Sequence, residues 1–266
     1  MQTREYEFAI QIRDLLFYYL TPVKSPLIPG VPLPFKRISS KKRVIIDGMQ
    51  LNIRSGCITA LLGQNGSGKT SLIKLITGIR SPHRGEVRVF GLPPAQVKHR
   101  IGLCLGNSLI YNRLTARENL EYFGKLYSVS NLPRRISQLA ELLELGPYLD
   151  NVVETYSFGM KAKLAIARSL IHSPDLLILD EPTLGIDLHL AKQIRQFIRG
   201  LKCTVLLTTH YMDEAEYLAN DLCIIDAGKI LALGSKADVL NQLNVTNVPD
   251  AFSQVVESQN RMRIAS

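Results

Sequence analysis

The chain has 266 residues, 46% of them hydrophobic, which allows one large domain, or two small ones, with a substantial core. A formal net charge of +9 and a pI near 9.4 admit an anionic partner, nucleic acid or a membrane surface. The basic residues are nevertheless spread along the chain, with Lys41-Lys42-Arg43 and Arg134-Arg135 as local clusters and no regularly interleaved aromatics, so solvated surface charge explains them as well.

In chain order, residues 5–20 read as a strand ending in aromatics. Its apolar end, Leu15 to Leu20, follows Arg4, Glu5, Glu7 and Arg13 and is a poor signal peptide; no apolar run approaches the roughly 18 residues a membrane span needs. Residues 20–40 carry Pro22, Pro26, Pro29, Pro32 and Pro34 and read as an extended loop inserted between two early strands. Val44 to Ile53 resumes strand character, with Asp47-Gly48 as a bulge or turn candidate. The short apolar run Cys57 to Leu62 is of strand type, and the helix Ser71 to Ile76 follows it closely. Further strands are expected at 85–90 and 100–105.

From 106 to 172 the apolar spacing turns helical, over Ala116–Tyr127, Leu132–Leu145 and Phe158–His172. Thr115 and Glu118 form a capping-box pair before the first of these. Strands return at 175–180, 204–208, 222–226 and 229–233, with helices at 188–200 and 211–219 between them. Strand–helix alternation predicts a parallel sheet with helices on its faces. The polar segment 244–266 is expected to be a short, loose tail. Cys57, Cys104, Cys203 and Cys223 lack metal-ligand spacing and sit in apolar runs, so they are expected to be buried, reduced thiols of a reducing cytoplasm.

Residues 63–70, GQNGSGKT, fit G-x-x-x-x-G-K-[ST]. Gly63, Gly66 and Gly68 allow a tight turn whose N–H groups point at phosphate oxygens, and the following helix adds its positive end. Lys69 is expected to reach the β- and γ-phosphates and Thr70 to hold Mg²⁺. LLILDE, residues 176–181, is an apolar strand closing on two carboxylates. Beside a phosphate loop, Asp180 suits Mg²⁺ and Glu181 suits orienting or deprotonating an attacking water; without that loop the pattern is an ordinary strand end. His210 ends another apolar strand and is either a γ-phosphate ligand or a surface histidine. His83, His99, His172 and His189 read as structural. In Tyr156-Ser157-Phe158-Gly159-Met160, Ser157 and Gly159 open a helix, which serves as an N-cap, an anion site, or both.

Together these motifs resemble the nucleotide-binding domain of an ABC transporter over residues from about 8 to 243. GQNGSGKT resembles the Walker A loop, LLILDE the Walker B strand with its catalytic glutamate, and YSFGM the signature. Leu184-Gly185-Ile186-Asp187 resembles the D-loop, and His210 the switch histidine. The resemblance implies an α/β fold: a P-loop NTPase of ABC type, with a mixed sheet core, an antiparallel β region and an inserted α-helical subdomain at 106–172. It implies that Gly63, Gln64, Asn65, Gly66, Ser67, Gly68, Lys69, Thr70 and Ser71 bind ATP, that Glu181 and His210 are catalytic, and that Thr70 and Asp180 hold Mg²⁺. Two cassettes would pack head to tail, so that Ser157 and Gly159 bind nucleotide across the interface; Asp187 is also implied to be a nucleotide-binding residue. A separate membrane permease would dock on the helical subdomain, placing the protein at the cytoplasmic face of the cell membrane and making it an export ATPase.

Three positions depart from the family pattern. Gly106 stands where a glutamine is usual, with Asn107 as a substitute; weaker coupling of hydrolysis to the helical subdomain is expected. The signature carries Tyr156, Phe158 and Met160 but keeps Ser157 and Gly159. The aromatic expected on adenine falls on Tyr19, with Tyr18 and Phe35 as competitors, unusually far upstream because of the proline-rich insertion. That insertion and the missing glutamine resemble exporters of cell-envelope polysaccharides and teichoic acids, whereas LTTHYMDEAE, residues 207–216, resembles drug and lipid exporters. The alternatives are a soluble ABC ATPase on nucleic acid or ribosomes and a small-molecule P-loop kinase. The single cassette, lacking a coiled-coil insertion, speaks against the first, and no nucleic acid is expected as a partner. The signature and the Glu181–His210 pair speak against the second.

Overall fold

A computed structural model describes residues 6–23, 39–106 and 109–264. The chain begins with two long antiparallel strands, β1 (Phe8–Val23) and β2 (Ser39–Arg54), which pair as far as Val23 and Ser39. The predicted loop over 20–40 is therefore shortened at both ends, and the rest of it, with Phe35, lies outside the described residues. Pro22 is tolerated because β1 pairs with β4 (Arg84–Val89) only as far as Leu16, so among the described residues Pro22 has a strand neighbour, β2, on one side alone. The register of β1 against β2 shifts around Asp47-Gly48, as the bulge expectation required.

The second sheet has the order β5-β6-β7-β3-β8-β9. Its members are β3 (Ile58–Leu62), β5 (Ile101–Leu105), β6 (Leu176–Asp180), β7 (Thr204–Thr209), β8 (Asp221–Asp226) and β9 (Lys229–Ser235). Neighbours from β5 to β8 are parallel, and β9 returns antiparallel on β8. The fold is thus the expected mixed α/β arrangement with a separate antiparallel sheet.

Side-chain alternation builds the core. Leu176 and Ile178 of β6 face one layer, with α1 (Lys69–Ile76) and β1, β2 and β4; Leu177 and Leu179 face the other, with the helices. The helices between β5 and β6 are α2 (Ala116–Leu126), α3 (Leu132–Leu142) and α4 (Phe158–Leu170). They share a core of Leu120, Ile136, Leu139, Leu164 and Ile166. Thr115 and Glu118 form the expected capping box on α2. After β6 come α5 (Leu188–Arg199), α6 (Met212–Leu218) and α7 (Lys236–Gln242).

The expectation of a loose tail is overturned. Residues Val248–Ile264 form α8; its Val248 and Ala251 are fully buried, and Val248 joins a small core with Ala215, Leu222 and Ile224, against which Phe252 and Val255 pack. Val248, Ala251, Phe252, Val255 and Val256 fall at helical spacing, a narrow apolar stripe in polar surroundings. Glu216 anchors the helix by accepting the Val248 N–H at 2.6 Å. The cysteine expectation holds for Cys104 and Cys223, which are buried and whose thiols burial pushes up to about 12. It fails for Cys57 and Cys203, which sit one residue before β3 and β7 and are half-buried; all four are free thiols.

Candidate functional site

The carboxyl ends of β3 and β6, the loop leading into α1 and the β1–β2 hairpin enclose a cleft of about 340 Å³. It is lined by Tyr19, Gln64, Asn65, Gly66, Gly68, Lys69, Thr70, Ser71, Asp180 and Glu181, all expected site residues, together with Arg43 and Ile45, which were not. Crevices at the carboxyl ends of parallel strands are where such sheets bind ligands. A larger cleft of about 800 Å³ lies at the opposite end of the strands, lined by Tyr6, Arg100 and Lys202 among others. It lacks the phosphate loop and the strand-end pair Asp180 and Glu181, so the smaller cleft is the candidate site.

Gly68 precedes α1 with φ at +112°, a conformation L side chains rarely adopt, and it turns the chain so that α1 starts at Lys69. Gly63 and Ser67 are buried in the same loop. Lys69 Nζ donates to the carbonyls of Gly63 at 2.6 Å and Gln64 at 3.2 Å. Burial pulls the Lys69 amine below its usual range, and the nearby charges of Glu181 and Asp180 oppose that shift. Its cation therefore sits in a poorly solvated place with loop carbonyls for company, ready to exchange them for anionic oxygens. Thr70 is exposed at the first turn of α1.

The end of β6 is pinned from its neighbour β7. The fully buried Thr208 hydroxyl donates to Asp180 Oδ1 and accepts the Glu181 N–H at 3.3 Å. Glu181 adopts φ of +52°, a strained conformation for a non-glycine residue, as the chain leaves the sheet. Its Oε2 accepts from His210 Nδ1 at 2.8 Å and from the His210 N–H at 3.3 Å. Asp180, Glu181 and His210, read from separate strand ends in the sequence, thus meet in one place.

Among the adenine-stacking competitors, Tyr19 lines the cleft, with its hydroxyl 3.4 Å from Ser71 Oγ. Tyr18 instead stacks on His83 with ring centroids 3.6 Å apart. Arg43 pairs with Tyr19 across the β1–β2 ladder and so reaches the same cleft. Asn107 lies outside the described residues, but Gly106 follows β5 with φ at +51°, and a Cβ there would meet none of the described residues within 4 Å beyond its chain neighbours.

Ser157, Gly159 and Asp187 do not line the cleft. Ser157 caps α4 by accepting the Met160 N–H at 3.2 Å, and Asp187 caps α5 by accepting the Leu190 N–H at 3.0 Å. Around them Phe158, Leu184 and Leu188 are exposed, Leu188 to 87%. Sequence reasoning missed Arg43 and the clasp made by Thr208. Both follow from strand pairing between distant segments, which local spacing does not reveal.

The ABC transporter family is matched over residues 46–184, just over half of the chain. The chain is 36% identical over 212 residues to the ABC transporter ATP-binding protein NatA of Bacillus subtilis (strain 168), covering 75% of this chain and 86% of that one. It is 34% identical over 223 residues to Nod factor export ATP-binding protein I of Cupriavidus metallidurans, covering 80% of this chain and 74% of that one. Its fold matches a dimeric ATP-binding cassette solved in a post-hydrolysis state with ADP and phosphate. The TM-score is 0.72 at 19% identity, over 85% of this chain and 98% of that one.

Proposed function

The chain belongs to the ABC transporter family, and on that premise we propose that it is the ATP-binding and ATP-hydrolysing subunit of an exporter. The observation that carries this reading is the meeting of Lys69, Asp180 and Glu181 at one cleft, with His210 bonded to Glu181 behind its wall. Tyr19 holds the base, the loop N–H groups of residues 63–71 and Lys69 hold the phosphates, and Arg43 adds positive charge at the cleft wall. The Glu181 carboxylate accepts a proton from, or orients, the water that attacks the γ-phosphate in line, and His210 holds that carboxylate in place. No helix among the described residues is long and apolar enough to cross a membrane. In this reading the chain works at the cytoplasmic face of a membrane, docked on a permease through the helices α2–α4.

Mg²⁺ fits the residues present. The Thr70 hydroxyl and the Asp180 carboxylate border the cleft and offer hard oxygen ligands. Such a pair suits an ion that takes one or two protein oxygens and completes its shell with phosphate and water. When bound, it supplies charge neutralisation on the phosphates.

The site is half complete in one chain. Ser157 and Gly159 start α4 away from the cleft, beside exposed Phe158, Leu184 and Leu188. An apolar surface next to an anion-binding helix start suits cover by a second copy whose ATP meets that helix end. Mixing two inactive variants, Lys69→Ala and Ser157→Arg, tests this arrangement. Head-to-tail packing predicts that the mixture regains ATPase activity, because one mixed interface keeps both native halves. A mixture as inactive as its components would contradict it.

A further inference from the structure

Behind the Glu181–His210 pair lies a buried carboxylate that the reading above leaves unused. Glu214 is on α6, four residues beyond His210, and has no exposed surface. Its Oε1 accepts from the Thr183 hydroxyl at 2.8 Å; Thr183 is itself buried and follows Glu181 by two residues. From α5, the helix opened by Asp187, Arg195 Nε stands 3.7 Å from the same oxygen. Glu214 Oε2 and Arg195 Nε are buried without a hydrogen-bond partner among the described residues. Thr209, next to His210, adds its hydroxyl near the carboxylate while accepting the Tyr211 N–H at 3.0 Å. Burial pushes the Glu214 carboxyl up, while the Thr209 and Thr183 hydroxyls and Arg195 favour the ion and the neighbouring Glu181 charge opposes it.

A carboxylate is costly to bury, and this one contacts three segments that each carry part of the site. They are the turn after Glu181, the helix after Asp187 and the strand end before His210. The gap to Arg195 is the telling feature. Charge-assisted hydrogen bonds close to about 2.7–2.9 Å, so a shift of about 1 Å in α5 converts a loose ion pair into a bonded one with no new desolvation.

We propose that Glu214 is a positioning residue that passes movement of α5 to the Glu181–His210 pair. It holds the two catalytic side chains in register only when Arg195 is drawn in. The inference rests on the head-to-tail reading, because Asp187 and the exposed Leu188 put the start of α5 at the surface a second copy would cover. Glu214 touches neither the cleft nor the nucleotide, so its effect falls on the rate of cleavage and not on binding.

Single-turnover ATP cleavage and nucleotide affinity, measured on Glu214→Ala and Glu214→Gln well below their unfolding temperatures, test the proposal. Expected are affinities within about twofold of the native protein and a cleavage rate lowered by more than about tenfold in Glu214→Ala. Glu214→Gln keeps an acceptor for Thr183 but loses the charge facing Arg195, so its rate falls in between. ATP-driven dimerisation of a Glu181→Gln protein is expected to survive addition of Glu214→Ala. An unchanged cleavage rate, or a loss matched by equal loss of affinity, overturns the proposal. Should Glu214→Ala not fold, Thr183→Val removes the same hydrogen bond from the other side; slowed cleavage supports the proposal and native cleavage overturns it. Failure of Glu181→Gln alone to dimerise with ATP overturns the head-to-tail reading itself, and is seen without any Glu214 variant.

Discussion

Replacing Tyr19 by alanine isolates the base-binding part of the cleft from the phosphate-binding part. Tyr19 is half-buried at the cleft wall, and its ring also packs edge-on against Phe17 with centroids 5.0 Å apart. Stacking of a base on an aromatic ring contributes about 1–3 kcal/mol by alanine substitution. Tyr19→Ala is therefore expected to weaken ATP binding by about 5- to 150-fold. Loss of the Phe17 contact lowers stability by only about 0.5–1.5 kcal/mol, so the variant remains folded. Tyr19→Phe keeps the ring and gives up only a long 3.4 Å hydroxyl contact to Ser71, so its affinity stays near native. Tyr18→Ala removes a ring that stacks on His83 and lies under Lys42, outside the cleft, and leaves affinity unchanged. Displacement of a fluorescent ATP analogue measures all three. Inorganic tripolyphosphate, which has no base, should displace the analogue equally well from native and Tyr19→Ala protein once the analogue's own affinity is corrected for. Equal weakening by Tyr18→Ala, or native ATP affinity in Tyr19→Ala, would refute the assignment of the base to Tyr19.

Lys69→Ala removes a desolvated cation that now holds two loop carbonyls and is expected to raise the ATP dissociation constant by about 10- to 150-fold, from about 1.5–3 kcal/mol of charge-assisted bonding; calorimetric titration reads this directly. Gly106→Gln places a side chain in open space but in a left-handed backbone conformation, at a cost of about 1–2 kcal/mol, seen as a lower Tm. The same variant is expected to tighten coupling of ATPase to transport, and unchanged rates of both would count against a role for this position. Val248→Asp puts a charge into the fully buried start of α8 and is expected to cost about 3 kcal/mol or more by denaturant unfolding, whereas a loose tail would leave stability within about 0.5 kcal/mol.

The parts of this fold that the sequence discloses are those set by local chemistry. GQNGSGKT needs its glycines for backbone reasons and its lysine for charge, so it reads without neighbours. The strand LLILDE shows as an apolar run because both of its faces are buried, and the Thr115–Glu118 box marks its helix by adjacency. Tyr18 and Tyr19 compete because alternation places them on opposite faces without saying which face meets the cleft; strand pairing turns Tyr19, beside Arg43, to the cleft wall. Thr208 and Glu214 fall within LTTHYMDEAE, but that run does not say what either side chain touches. They become legible only when β7 lies beside β6 and α6 packs on the turn after Glu181, contacts between residues far apart in the chain. The helix α8 was present in the sequence as a stripe from Val248 to Val256, outweighed by the polar residues around it.

The central claim is that one chain holds half of an ATP site and that Glu181 drives turnover at the joined site. The most direct measurement is the mass of the Glu181→Gln protein by light scattering, with and without Mg-ATP, alongside its ATPase rate. A dimer that appears only with ATP and turns over little is the predicted result. A fully active protein that stays monomeric at every nucleotide concentration would contradict it.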